Sequence, residues 1–208
     1  MIVTLDRAML EDIEQLYSDM EASYDRTATV LGLSCTGCPD NCCDSYFLHF
    51  TYLEWGYLWH GMNLLPENKQ QEIIRRAVSY EEQSEEMLRQ GERPRIMCPL
   101  NETGRCMLYK HRLMVCRTHG VPAVMRRPDG KQLRFPGCFR CQDIVEQGES
   151  EVQSVVMERT PLLRRLVELE QNLLEGKRNL MPKVRMTIGA MLKAGPPTVP
   201  HCSDRQQK

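Results

Sequence analysis

The chain has 208 residues, 27 basic and 28 acidic side chains, and a formal net charge of -1 at neutral pH. That length suits one substantial core, or a core with a smaller lobe, and the balanced charge offers no field to gather a polyanion, so nucleic acid is not an expected partner. The opening Met1-Ile2-Val3-Thr4-Leu5-Asp6-Arg7 lacks the basic stretch and apolar run of a signal peptide, and no window nears the roughly 20 apolar residues of a bilayer span, so the expected location is the cytoplasm, away from membranes.

Over residues 5–20 the apolar residues Leu5, Met9, Ile13, Leu16 and Met20 recur every three or four positions, the spacing of one buried helical stripe. Residues 29–44 turn to Gly, Pro, Asn, Asp and Cys, which reads as an ordered loop. Thr51-Tyr52-Leu53-Glu54 has the form of a capping box, with Thr51 as N-cap and Glu54 reaching back. It opens a short aromatic helix that carries Trp55 and Trp59 and ends near Gly61. Pro66 suits the first turn of the next helix, which runs through Ile73, Ile74, Ala77 and Val78 to Met87-Leu88 and is closed by Gly91 and Pro94. Residues 95–118 are only weakly periodic. Segments 121–125 and 133–135 flank Arg127-Pro128-Asp129-Gly130, a hairpin turn signal. Val152, Val155 and Val156 lead to Thr160-Pro161, an N-cap and first helical residue, and Leu162, Leu166, Leu169 and Leu173 form a stripe that stops at Gly176. A short amphipathic piece covers about residues 182–193, and Gly195-Pro196-Pro197 begins a tail expected to be disordered.

Ten cysteines stand out against this background. Cytosolic thiols are kept reduced, so a disulfide framework is not expected. Buried single cysteines scatter, whereas nine of these ten cluster and Cys202 sits alone in the tail. Clustered thiols in a reducing compartment bind metal or do redox chemistry. The groups are Cys35-x2-Cys38-x3-Cys42-Cys43, then Cys98-x7-Cys106-x9-Cys116, then Cys138-x2-Cys141. A C-x2-C turn brings two thiolates close enough to share one metal, with Gly37 and Gly137 easing the backbone. In the doublet Cys42-Cys43, neighbouring side chains on an extended backbone point to opposite faces. One is expected to ligate the main centre while the other serves a second centre or packs. Nine thiols exceed one four-coordinate site, which implies two metal sites, the expectation adopted here, or one site with spare thiols.

Spacing excludes several known arrangements. A zinc ribbon sets its two knuckles about 15–20 residues apart, and here about a hundred residues separate them. The bacterial ferredoxin run is absent, because three residues follow Cys38 before the next cysteine and not two. A radical-SAM loop would need cysteine where Ser45 stands, and Pro39 and Gln142 occupy the places of a haem-attachment His. Soft thiolates suit both zinc and iron–sulfur, so spacing leaves that choice open.

The ordered string Cys35-x2-Cys38-x3-Cys42-Cys43, Leu48, Thr51-x2-Glu54, Cys98-Pro99-Leu100, Gly104-Arg105-Cys106-Met107-Leu108-Tyr109 and Val115-Cys116-Arg117 resembles the YkgJ-type cysteine-cluster family. The resemblance covers roughly residues 30–145. It implies a zinc- or iron-chelating domain. The family's Arg-Pro shortly before the last of these cysteines is replaced here by Arg112-Leu113-Met114-Val115. The domain is similar to one in flagellin lysine N-methylases, which implies an iron–sulfur option and a methyl-transfer link, although no glycine-rich nucleotide loop accompanies it.

Arg117 could hydrogen-bond a thiolate or sulfide and offset a cluster's charge. His119, His49, His60 and His111 read as packed or surface residues, since nine thiols already compete for metal. Tyr52, Trp55 and Trp59 fall on one helical side and are expected to shield the centre from water. Arg126-Arg127, Arg164-Arg165 and the run Glu81, Glu82, Glu85, Glu86 read as solvated faces. No Ser-His-Asp or Cys-His arrangement announces catalysis.

The expected fold is mostly α, with helices surrounding an irregular cysteine-rich metal centre and one small β-hairpin. One domain is expected over residues 1–194, with the cysteine core at about 30–145, flanking helices over 1–28 and 150–194, and 195–208 as the tail. The expected function is a metalloprotein in which Cys35, Cys38, Cys42, Cys43, Cys98, Cys106, Cys116, Cys138 and Cys141 hold an iron–sulfur cluster, of the 4Fe-4S type, or zinc, in a structural or redox role. Two alternatives stand beside it. One is an enzyme, either a protein-modifying methyltransferase-like protein or a thiol oxidoreductase; the other is a metal-handling module.

Overall fold

The computed structural model describes residues 2–36, 38, 42–148 and 154–198. The fold is mostly α, as expected, with two small sheets. Two compact units form, one from Met1–Leu10, Cys43–Leu113 and Glu170–Lys208, the other from Glu11–Cys42 and Met114–Leu169. The division falls inside helix α1 (Arg7–Val30) and inside helix α6 (Thr160–Leu173). No helix among the described residues is long and apolar enough to cross a membrane.

The first unit is built on α2 (Tyr52–Asn63) and α3 (Glu67–Arg89). The capping box forms: Thr51 Oγ1 accepts from the Glu54 N–H at 3.1 Å and donates to Glu54 Oε2 at 2.8 Å. Two further α2 donors go to a residue 118 positions away or nearly so, because Tyr52 N–H and Leu53 N–H donate to the two carboxylate oxygens of Glu170 at 3.0 and 2.8 Å. Arg178 lies 3.3 Å from the same carboxylate. Burial raises the Glu170 carboxyl above its usual range, against the lowering pull of those N–H groups and Arg178.

Helix α3 starts directly after Pro66, whose ring costs nothing where no N–H partner is needed. It ends at Gly91 with Glu92 N–H bonded to Met87 O and Gly91 N–H to Leu88 O, which satisfies two of the last carbonyls. The tip of the short α7 (Ile188–Ala194) is capped by Thr187, whose hydroxyl accepts from Ala190 N–H at 2.9 Å and donates to Glu81. Leu58, Trp59, Met62, Ile73, Ala77 and Met191 form the centre of this unit's core. A hairpin closes one side of it, β1 (Asn101–Glu102) pairing with β2 (Arg105–Cys106), and its two-residue strands explain why no alternation marks it in the sequence. Beyond α7, Pro197 O accepts from Val3 N–H at 2.8 Å, so residues 195–198 are fixed against the amino-terminal strand segment; residues 199–208 of the expected tail lie outside the described residues.

The extended segments at His49 and Met186 bridge through paired backbone bonds of 2.8 and 3.1 Å. The His49 side chain is 2% exposed, and its Nδ1 has no hydrogen-bond partner among the described residues. Burial lowers its pKa to about 4. A group depressed in the folded state binds protons first in the unfolded chain, so its stabilising contribution is complete above its ordinary value of 6.5 and is lost as pH falls towards 4. Such a lowering corresponds to about 3 kcal/mol. Wild type is therefore expected to lose about that much relative to His49→Leu between pH 7 and pH 4 in denaturant unfolding; parallel pH curves would contradict it.

The second unit places α1 beside a three-stranded sheet of order β4-β3-β5. Strands β3 (Ala123–Arg126) and β4 (Gln132–Phe135) form the expected hairpin, with Arg127 N–H to Lys131 O at 2.9 Å across the turn. The edge strand β5 (Met157–Glu158) adds in parallel to β3, a pairing between segments too far apart for local patterns to reveal. Val152 of the expected lead-in lies outside the described residues, and Met157 and Glu158 are strand. Helix α1 runs ten residues past its apolar stripe, because the buried face continues through the weakly apolar Thr27 and Ala28 after Ile13, Leu16, Tyr17 and Met20. Ala28, Val121, Ala123 and Met157 make a small cluster there. Helices α4 (Met114–Thr118) and α5 (Phe139–Gln147) belong to the same unit.

Candidate metal centre

All nine clustered cysteines carry thiols and not disulfides. The second unit contains Cys35, Cys38, Cys42, Cys116, Cys138 and Cys141, and the first contains Cys43, Cys98 and Cys106. The doublet Cys42-Cys43 is not extended, as the sequence reading assumed, but opens the 3-10 turn Cys42–Asp44. Successive side chains of a 3-10 turn diverge by about 120°, so the two thiols still face different ways. The division between units passes between them.

In the second unit the organiser is Tyr24 of α1. Its hydroxyl is hydrogen-bonded to Cys35, and the phenol pKa is pushed up by burial first, then by the charges of Cys35, Cys138 and Cys42. Thiols of the first and last cysteine groups thus act on one phenol, Cys35 through a hydrogen bond and Cys138 and Cys42 through their charge. Backbone geometry allows this approach at two glycines. A Cβ on Gly120 (φ 121) would lie 2.7 Å from the Tyr24 hydroxyl, and a Cβ on Gly137 (φ 88) would lie 2.6 Å from Gly120 O. Gly120 O in turn accepts from Cys138 N–H at 3.0 Å. Cys138 is the N-cap of α5 and half-buried, and Cys141, one turn on, is 0% exposed. Burial, and then the Cys138 charge, push the Cys141 thiol up to about 11. Cys35 and Cys38 are joined by a turn in which Cys38 N–H bonds to Cys35 O at 3.2 Å.

Cys116 lies on α4. Its neighbour Arg117 is buried, paired with Glu21 at 2.5 Å and stacked 4.2 Å above the Tyr17 ring, which anchors α4 to α1. Arg159 supports the same corner, donating to Thr118 O and lying 4.9 Å over Phe135, and burial lowers its pKa to about 10.

In the first unit Cys98 N–H bonds to Cys43 O at 2.9 Å, which links two of its three cysteine segments. Cys106 pairs with Asn101 in the β1–β2 hairpin, and Asn101 N–H bonds to Cys98 O at 2.9 Å. Cys98 and Cys106 pack on the same core as Tyr52, Trp55 and Trp59. The indole N–H groups have a second task, since Trp55 and Trp59 both donate to Met191 O, at 3.1 and 3.0 Å, and Tyr52 donates to Pro182 O at 3.1 Å. The buried Tyr80 is pushed up to about 12, by burial first and then by the charge of Cys98. His60 and His111 form an aromatic group with Tyr57, their ring centroids 5.7 Å apart. Sequence reasoning missed Tyr24 and Tyr80. Each is a lone aromatic on a polar helix stretch, and only its spatial neighbours distinguish it.

Thiolates are donors of the right softness for zinc and for iron–sulfur clusters. Among the described residues, no three His, Cys, Asp or Glu side chains stand in a ready coordination group. The donors therefore fit such a group by chemical type. No family model, curated protein or solved structure matches the chain.

Proposed function

We propose that this protein is a cysteine-cluster metalloprotein that binds an iron–sulfur cluster, or failing that zinc, through its thiolates. The observation that carries the reading is that Cys35, Cys42 and Cys138, from segments about a hundred residues apart, all act on the hydroxyl of Tyr24, with Cys138 N–H bonded to the Gly120 carbonyl beside it. A reducing cell offers no disulfide reason for that arrangement. The ordered motif string that resembles the YkgJ-type pattern supports it independently. Cys35, Cys38, Cys42, Cys116, Cys138 and Cys141 would offer the donors of one centre, with thiols to spare; Cys43, Cys98 and Cys106 would serve a second. A cluster would supply one-electron transfer there, and zinc a structural cross-link. The chain's own contribution is to orient the donors. Gly120 and Gly137 let the Tyr24 hydroxyl and the Cys138 segment approach, and the Arg117–Glu21 pair fixes the helix that carries Cys116.

The test is purification without oxygen. Brown protein with broad visible absorbance, iron and acid-labile sulfide is the expected result. Colourless protein with stoichiometric zinc would eliminate the cluster, and protein with neither metal would eliminate the reading.

A further inference from the structure

The two C-x2-C pairs are not equivalent in the structure. Cys35 is exposed and Cys38 half-buried, on a turn. Cys138 and Cys141 are the N-cap and third residue of a nine-residue helix whose first turn is closed, with Gln142 N–H bonded to Cys138 O at 2.9 Å. Residues so related have Cα atoms about 5–6 Å apart, inside the roughly 4.4–6.8 Å window of a disulfide. Direction is favourable as well as distance. Helical Cβ atoms tilt towards the N-terminus, and Cys141 Cβ lies 3.2 Å from where a Cβ on Gly137 would stand, so its side chain folds back over the peptide that leads into Cys138. Accessibility is divided between the two sulfurs: Cys138 is half-buried, whereas Cys141 is 0% exposed. Of the two, a reagent from solvent thus meets Cys138 before Cys141.

We propose that Cys138–Cys141 is a redox switch in which a small disulfide closes the pair and releases metal from that centre; the release rests on the metalloprotein reading above. Cys138 thiolate attacks one sulfur of a low-molecular-weight disulfide such as glutathione disulfide, forming a mixed disulfide and expelling one thiolate. The Cys141 thiolate then attacks Cys138 Sγ, which forms the internal disulfide and expels the second thiolate. Two protein thiols are oxidised and one external disulfide is reduced to two thiols. The new disulfide is a far poorer donor than two thiolates, so the centre loses two ligands at once. No change of helix is needed, because the geometry already lies within disulfide range.

The experiment treats the full chain, isolated anaerobically, with glutathione disulfide and follows metal content, intact mass and a peptide map. The expected first product in wild type is a Cys138–Cys141 disulfide without a lasting adduct, accompanied by metal loss in step. Cys141→Ser is expected to trap a glutathione adduct on Cys138, at least tenfold above wild type. A first disulfide or adduct at Cys35, Cys38 or the other cysteines overturns the proposal, and so does closure of the pair with metal fully retained. If the variant does not fold, the wild-type peptide map decides alone. Protein isolated without metal sinks the metalloprotein reading and the release step with it, whereas the order of thiol oxidation is read separately.

Discussion

Removing the proposed metal with a chelator under reducing conditions is expected to abolish the cooperative unfolding transition of the second unit. A structural thiolate-bound metal contributes about 10–16 kcal/mol in small zinc peptides, comparable with the roughly 5–15 kcal/mol of a whole domain. The apolar core of this unit is the buried face of α1, Ile13, Leu16, Tyr17 and Met20, with Leu166, Leu169 and the small cluster of Ala28, Val121, Ala123 and Met157. The sheet adds little, with strands of four, four and two residues. Thermal scans by circular dichroism, with and without chelator, should show one transition lost and recovered when metal is restored. Identical curves would mean that the thiols bind no structural metal.

Glu170→Ala is expected to cost about 4 kcal/mol without changing metal content. The substitution leaves the Tyr52 and Leu53 N–H groups buried without acceptors, each worth about 1–3 kcal/mol, and removes the partner of Arg178. Glu170→Gln retains one acceptor oxygen and should fall between the two. The pH dependence has the opposite sign to that of His49. A carboxyl raised by burial holds its proton longer in the folded state, so its contribution is largest below the ordinary value of 4.5 and declines as pH rises past it. Denaturant unfolding of wild type and both variants at several pH values measures each effect. A loss below about 1 kcal/mol for the alanine variant, the worth of an ordinary exposed cap, would show that solvent replaces the carboxylate freely.

What could be read in the sequence was whatever neighbouring residues decide. The Thr51–Glu54 cap, the start of α3 after Pro66, its end at Gly91 and the turn at Arg127–Gly130 all depend on residues within one turn of each other, and all stand in the structure. Long-range choices were invisible. Nothing near Met157 says that it will join β3, and nothing near Tyr52 says that Glu170 will cap its helix. Helix α1 was cut short because Thr27 and Ala28 are too weakly apolar to extend a stripe, although both are buried. The candidate site followed the same rule. Cysteine spacing proposed the donors, whereas Tyr24, the residue on which Cys35, Cys42 and Cys138 act, could be recognised only in the folded chain.

The first unit draws its chain from both sides of the second, and this has a consequence during synthesis. Trp55 and Trp59 find their acceptor at Met191, and Tyr52 finds its cap at Glu170. At roughly 5–20 residues per second, a ribosome needs several seconds to travel from Cys106 to Met191. Throughout that interval Cys43, Cys98 and Cys106 have been made but the unit that surrounds them cannot close. The nascent chain therefore offers these thiols to the cell's metal pool, and to its oxidants, before the finished protein encloses them.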